Sequence, residues 1–214
     1  MKNYKTLFVS MLLSVSVCFY GCDKLIGDEA KDNSKNTTEE TQDKSDEKVQ
    51  SEIQTAFDYI NKVRKNPASF SQEIGADLSY VETRAALNWD SKLAKAAQAK
   101  AEDMANNNYF SHTDLKGCGM NIKIYEAGYE LESSWYSDPS ANYFENIAAG
   151  TKGGIETVKM LILDNNSSTT GHRNSLLGIG DFYSDNTDIG IGYAYNPNST
   201  YKYYWSILVA RHKW

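Results

Sequence analysis

The chain has 214 residues, a formal net charge of −6 and only three histidines. A mildly acidic balance without a basic stripe argues against nucleic acid as a partner. Its cysteines are Cys18, Cys22 and Cys118, so a folded head beyond residue 50 holds one thiol and no internal disulfide.

Met1 to Cys22 reads as a secretion signal. Lys2 and Lys5 precede an apolar run from Leu7 to Phe19 that is broken mainly by serines. The run is too short to span a bilayer, which marks a cleaved leader over residues 1–21. Gly21 is the small residue a lipoprotein signal peptidase needs before a modified cysteine, so lipidation of Cys22 is expected. Plain secretory cleavage near Gly21 is the alternative. Each buried acyl methylene contributes about 0.8 kcal/mol, so several chains on Cys22 would hold the protein at a membrane. The expected location is the outer membrane or cell surface.

Residues 22–50 follow as a tether. Between positions 27 and 49 only Ala30 and Val49 are apolar. Such a segment buries too little to offset its chain entropy and is expected to be disordered. As a coil it would reach on the order of 30 Å.

Residues 51–214 form the expected domain, and about 165 residues can bury roughly 70% of the extended surface. Ile53, Phe57, Ile60 and Val63 recur at helical spacing and stop at Asn66-Pro67. Asp90 caps a second helix in which Leu93, Ala96, Ala97, Ala101 and Met104 keep the three-four rhythm. A third helix over 121–127 closes at Gly128 as a left-handed cap. Ile155, Val158 and Ile162 mark another, ended by Asp164-Asn165. The period then changes. Ile189, Ile191, Tyr193 and Tyr195 alternate, Asn196-Pro-Asn-Ser199 turns, and the stretch from Tyr201 to Ala210 is apolar on both faces. A strand of that kind is central in its sheet. Together these elements predict an α+β domain, a three-layer α-β-α sandwich around a small, mainly antiparallel sheet.

Three segments concentrate the chemistry: Tyr109-Phe-Ser-His-Thr-Asp114, Phe144-Glu-Asn-Ile-Ala148 and Gly171-His-Arg-Asn-Ser-Leu-Leu177. His112 and His172 are the only histidines away from the C-terminus, and Glu145 opens an apolar stretch. Two neutral imidazoles with one or two carboxylates suit Zn²⁺ or another divalent ion. Such a site releases its metal below about pH 6 as the imidazoles protonate. A metal-bound water with Glu145 as base is the chemistry available in principle. The plainer reading is a hydrogen-bonded network that fastens loops to the sheet. Ser111 adjoins His112, but neighbours in extended chain point to opposite faces, which removes a Ser-His nucleophile. Cys118, between two glycines, reads as a bystander thiol, and His212 as solvated surface.

From about residue 55 to 210 the chain resembles the CAP superfamily (cysteine-rich secretory, antigen 5 and pathogenesis-related 1 proteins), in its bacterial SCP-domain branch. The residues that carry the likeness are Leu87-Asn-Trp-Asp90, Phe110-Ser-His-Thr113, Ala127-Gly-Tyr129, Glu145-Asn-Ile-Ala148, Gly171-His-Arg173 and Ile189-Gly-Ile-Gly192. With its lipobox-like leader it is most similar to spirochaetal outer-surface lipoproteins of that family. The resemblance implies the three-layer fold and a cleft with two histidines and two acids. His112, Glu145 and His172 match three of those positions. The fourth, usually a Glu before Gly-His-Arg, falls to Asp164, whose shorter side chain reaches less far. Family members bind sterols and lipids, so the expected function is a non-catalytic binding module for a lipid, a sterol or a host macromolecule. It requires no cofactor, and a divalent ion is the candidate one. The alternative is a metal-dependent hydrolase acting through the same cleft. The tyrosines at 125, 129, 136 and 143 could line a binding surface, and Trp135 and Tyr136, in the serine-rich insertion 131–142, are its candidate specificity loop.

Overall fold

The computed structural model describes residues 34–165 and 169–213, with side chains from Glu47 onward. The expected leader and Cys22 lie outside the described residues. Among those described, no helix is long and apolar enough to cross a membrane.

In chain order the elements are α1 (Ser34–Lys65), a 3-10 turn (Pro67–Phe70) leading into α2 (Ser71–Ile74), and β1 (Asn88–Trp89). Next come α3 (Ser91–Asn106), α4 (Met120–Glu126), a second 3-10 turn (Ser133–Trp135) and β2 (Glu145–Ala149). The chain ends with α5 (Gly154–Leu163), α6 (Gly171–Leu177), α7 (Asp181–Ser184), β3 (Asp188–Tyr195) and β4 (Tyr203–Ala210). The strands order β1-β3-β4-β2; β1 runs parallel to β3 and the other pairings are antiparallel. This is the predicted mainly antiparallel sheet with its two-faced strand, β4, inside.

Alternation along β3 and β4 assigns the layers. Ile189, Ile191, Tyr193, Trp205, Ile207 and Val209 pack into one core with α1, α5 and α6. Leu208 and Ala210 face the other way, onto Leu93, Ala96 and Ala97 of α3 and Met120 and Ile124 of α4. Gly190 and Gly192 share that second face, where α3 lies on the sheet. A Cβ on Gly190 would stand 2.1 Å from the Ala94 backbone nitrogen, and one on Gly192 2.2 Å from the Ala97 carbonyl carbon. Both glycines are therefore required by backbone proximity rather than by a turn.

The caps follow the predicted chemistry. Asp90 Oδ1 accepts from the Lys92 and Leu93 N–H groups at 2.8 and 2.9 Å. Gly128 adopts φ 94° after α4, with the Tyr129 N–H returning to the Ile124 carbonyl.

One expectation is corrected. Residues 34–50 are helical rather than coil, because α1 starts at Ser34. Val49 and Ile53 pack on the core. Once that packing nucleates the helix, adding Glu, Lys and Gln residues upstream needs no further burial.

A cleft at the edge of the sheet

β2 is an edge strand, and its first residues point to opposite faces of the sheet. Ile147 packs on the α3 side and Ala148 on the α1 side. Glu145 shares the side of Ile147, and Asn146 that of Ala148. A cleft of about 710 Å³ straddles this edge and includes both His112 and His172 in its wall. The two imidazoles thus arrive from different layers of the sandwich.

His112 lies in the irregular segment after α3. The base of that segment is fastened by the Tyr109 hydroxyl, which donates to Asp103, and by Lys100 Nζ at 3.2 Å from the same hydroxyl. Burial holds the Lys100 ammonium below the usual lysine range although the charge of Glu145 acts in the opposite sense. Further along, Asp114 Oδ1 accepts from the Lys116 and Cys118 N–H groups and pins the loop tip. His112 Nδ1 stands 2.9 Å from Glu145 Oε2, and Glu145 Oε1 accepts from the Ser206 hydroxyl of β4 at 3.0 Å. The Glu145 side chain has no exposed surface, whereas that of His112 is 45% exposed.

The second pair is built locally. Asp164 ends α5 in the left-handed conformation, φ 50°. That turn brings its carboxylate over the start of α6. Asp164 Oδ1 lies 2.9 Å from His172 Nδ1, and Oδ2 accepts from the His172 N–H at 3.0 Å. Arg173 in turn donates to the carbonyls of Ile162 and Leu163, capping the end of α5. Gly-His-Arg is therefore a reciprocal clasp between two helix ends. The short Asp reaches its imidazole because it sits at the cap rather than inside the helix.

In each pair the carboxylate accepts from Nδ1, so a neutral imidazole presents Nε2 as its open nitrogen. This differs from the expected four-ligand set of His112, Glu145, His172 and Asp164. Among the described residues no three His, Cys, Asp or Glu side chains gather as ligands of one metal ion. What remains for a divalent ion is two imidazoles in one cleft wall, each oriented by a carboxylate, which is short of a full zinc shell.

Trp135 lines the cleft, beside Tyr143, Phe182 and Tyr183. Tyr136 instead turns away and stacks on Tyr125 at 4.2 Å. Asn142, Asn146 and Ser175 also line the cleft; the last two lie within the quoted motifs, but none of the three was a candidate site residue. Asn146 Nδ2 donates to Ser175 Oγ and to the Ile207 carbonyl, tying β2 to α6. Of that wall, Trp135 and Tyr143 were candidates from the sequence, and the aromatic dipeptide Phe182-Tyr183 was the signal left unread.

Three other expectations resolve elsewhere. Tyr129 is fully buried and belongs to the core. His212 is not solvated surface: it stacks on Tyr129 at 4.3 Å and its Nε2 lies 3.4 Å from Asp188. Cys118 lines a separate groove of about 570 Å³ between α3 and α4, away from His112.

A three-layer sandwich with paired imidazoles at a sheet edge defines a class, and comparison assigns the family. Residues 57–209 match the model of the cysteine-rich secretory protein family, CAP. The chain belongs to that family. It is similar to a Bacillus subtilis (strain 168) protein described as an uncharacterized membrane protein, with 31% identity over 108 residues, half of this chain. Those residues span only 26% of that relative. Among solved structures it resembles an outer surface protein from Borrelia burgdorferi, with 18% identity and a TM-score of 0.50 over 77% of this chain and 96% of that one. An extracellular SCP-domain protein from Bacillus anthracis matches at 22% identity and a TM-score of 0.48, over 76% of this chain and 41% of that one.

Proposed function

We propose that the head is a binding module displayed at the cell surface, lipid-anchored through Cys22, that holds its ligand without turning it over. One observation carries this reading: both acids of the cleft are buried and already engaged by imidazole Nδ1 atoms. Hydrolysis needs a proton acceptor within reach of an attacking water. Glu145 has one oxygen on His112 and the other on Ser206, which argues against Glu145 as that acceptor and leaves an imidazole Nε2 as the group the turnover test must address. The membrane-protein description of the Bacillus relative and the outer-surface description of the Borrelia neighbour support display. The ligand class is a lipid, a sterol or a host macromolecule. The groove between α3 and α4, where Ala96, Ala99, Leu115 and Met120 stand among four lysines and three acids, supports an amphipathic member of that class, a lipid with a polar headgroup.

His112 and His172 would hold a divalent ion through Nε2, with Glu145 and Asp164 fixing the rings. When bound, the ion supplies polarisation of a ligand oxygen. Two imidazoles are half of a tetrahedral zinc shell, so water or the ligand completes it.

The test supplies Zn²⁺ to the wild type and to His112→Ala and His172→Ala variants, with ester, peptide and peptidoglycan substrates. The expected result is no turnover, with a Zn²⁺-dependent rise in melting temperature in the wild type alone. Zn²⁺-dependent cleavage that Glu145→Gln abolishes would establish the hydrolase instead.

A further inference from the structure

Among the described residues, the two edges of the sheet are finished differently. On the β1 side the protein covers its own backbone. The Asp90 N–H donates to the Ile189 carbonyl at 2.9 Å. Beyond the two residues of β1, the Gln98 side chain acts as a surrogate strand. Its Oε1 accepts from the Tyr193 N–H at 3.0 Å, and its Nε2 donates to the Tyr193 carbonyl at 3.1 Å.

The β2 edge has no such cover. Toward β4, the Val209 N–H donates to the Phe144 carbonyl at 2.9 Å and the Gly150 N–H to the Tyr203 carbonyl at 3.0 Å. Bonding alternates in an antiparallel ladder, so Asn146 and Ala148 also face β4, and the backbone groups of Glu145, Ile147 and Ala149 face outward. No hydrogen bond from a described residue meets those outward N–H and C=O groups. They are reachable. Glu145 is 8% exposed although its side chain has no exposed surface, so what it presents to the cleft is main chain. Ala149, at the other end, is partly exposed. Nor does the strand resist pairing: it holds no Lys and no Pro, and its one charge is engaged by His112 and Ser206.

The chemistry of that edge selects its occupant. Outward N–H and C=O groups recur every second residue, about 7 Å apart, which is the repeat of another strand. A hydrocarbon chain offers neither donor nor acceptor. A second copy of the sheet is too thick, because the edge is recessed between His112 on one side and His172 with Ser175 on the other. A single extended chain enters there and a three-layer slab does not. The five residues of β2 span about 17 Å, the length of a five- or six-residue segment. Near Glu145 the cleft wall carries Tyr143, 47% exposed, which gives one side chain of such a segment an apolar contact.

We infer that the open edge of β2 takes an extended peptide segment of a partner protein as an added strand, held main chain to main chain at Glu145, Ile147 and Ala149, with an apolar side chain against Tyr143. This deepens the binding-module reading and rests on it, naming a polypeptide as the macromolecule that the cleft takes.

The test titrates the full chain with acetylated, amidated hexapeptides of alternating Thr and Val, in which each position in turn carries Tyr, Phe, Leu, Lys or Glu. Calorimetry and amide hydrogen exchange are the readouts. At least one hexapeptide should saturate at millimolar concentration or below and slow exchange at the Glu145, Ile147 and Ala149 amides about tenfold or more. N-methylation of every second amide of that peptide should abolish binding in one phase and spare it in the other, because only alternate amides face β2. Ala149→Pro removes one outward N–H and leaves the ladder to β4, so it should weaken binding about tenfold, whereas Ala149→Val should not. Should Ala149→Pro fail to fold, the two N-methyl phases decide alone. The assignment is overturned if both phases bind equally, if folded Ala149→Pro keeps full affinity, or if a peptide saturates without protecting the three amides. Protection of those amides by raised protein concentration, or by phosphatidylcholine vesicles, overturns it in favour of a second copy or a lipid. Cleavage of a bound hexapeptide overturns the non-catalytic reading alone and leaves the edge assignment standing. No saturation by any hexapeptide, with Zn²⁺ still stabilising the wild type, overturns the edge assignment alone.

Discussion

The two imidazole–carboxylate pairs reach the same geometry by different routes. His112 and Glu145 are 33 residues apart and meet only because a loop folds over the end of β2. His172 and Asp164 are eight residues apart and meet within one helix-to-helix connection. Both distances are 2.9 Å. The difference lies in what else depends on the acid. Glu145 leans on the sheet through Ser206, whereas Asp164 is itself the support of α6, holding backbone N–H groups as well as the ring. One acid is positioned by the fold, and the other positions it.

The largest expected effect follows from that asymmetry. Asp164→Ala removes a helix cap and a charged partner together, and should destabilise the domain by about 2–4 kcal/mol in urea unfolding. A loss under about 1 kcal/mol would show that α6 does not need its clasp and that the two pairs are equivalent. Glu145→Gln keeps a side chain of the same shape and leaves α6 untouched. It should cost about 1–2 kcal/mol and release the His112 ring from its fixed tautomer, as read by long-range nitrogen–proton NMR correlations. If the tautomer is unchanged, the sheet-side ring is held by something other than its acid. Ser206→Ala acts one bond further away and should cost about 1 kcal/mol without altering His112. The smallest effect runs the other way. Thr170, just before α6, is β-branched yet adopts φ 48°. Thr170→Asn should raise stability by about 0.5–1 kcal/mol, since Asn tolerates that conformation. A melting temperature that falls would mean Thr170 contributes more through its contacts than it loses through its backbone.

Much of this architecture was legible in advance, and the legible parts share a property. The alternation of Ile189, Ile191 and Tyr193 is local, as are the cap of Asp90 and the left-handed turn at Gly128. β2 was less legible as a strand. Its five residues are recognisable as a motif, but their extended form depends on pairing with Tyr204 to Leu208, some sixty residues later. Trp135 lines the cleft, whereas Tyr136 beside it found Tyr125 instead, a choice that no local signal records. His212 was misread because a terminal histidine among charged residues has the pattern of a solvated one. Only the fold puts Tyr129 beneath it. Composition also misjudged α1, since polar residues that cannot form a core can still extend a helix nucleated on one.

The residues by themselves determined the family, the alternation of the hairpin and the identity of both histidines and of their two acid partners, because these are fixed by residue type and short-range spacing. Tertiary structure decided which nitrogen each acid would hold and which way the remaining one faces. It also decided that an aromatic wall of Trp135, Tyr143, Phe182 and Tyr183 would stand beside them. Those outcomes depend on distances between segments far apart in the chain, which only the packing of α3, α5 and α6 around the edge of the sheet sets.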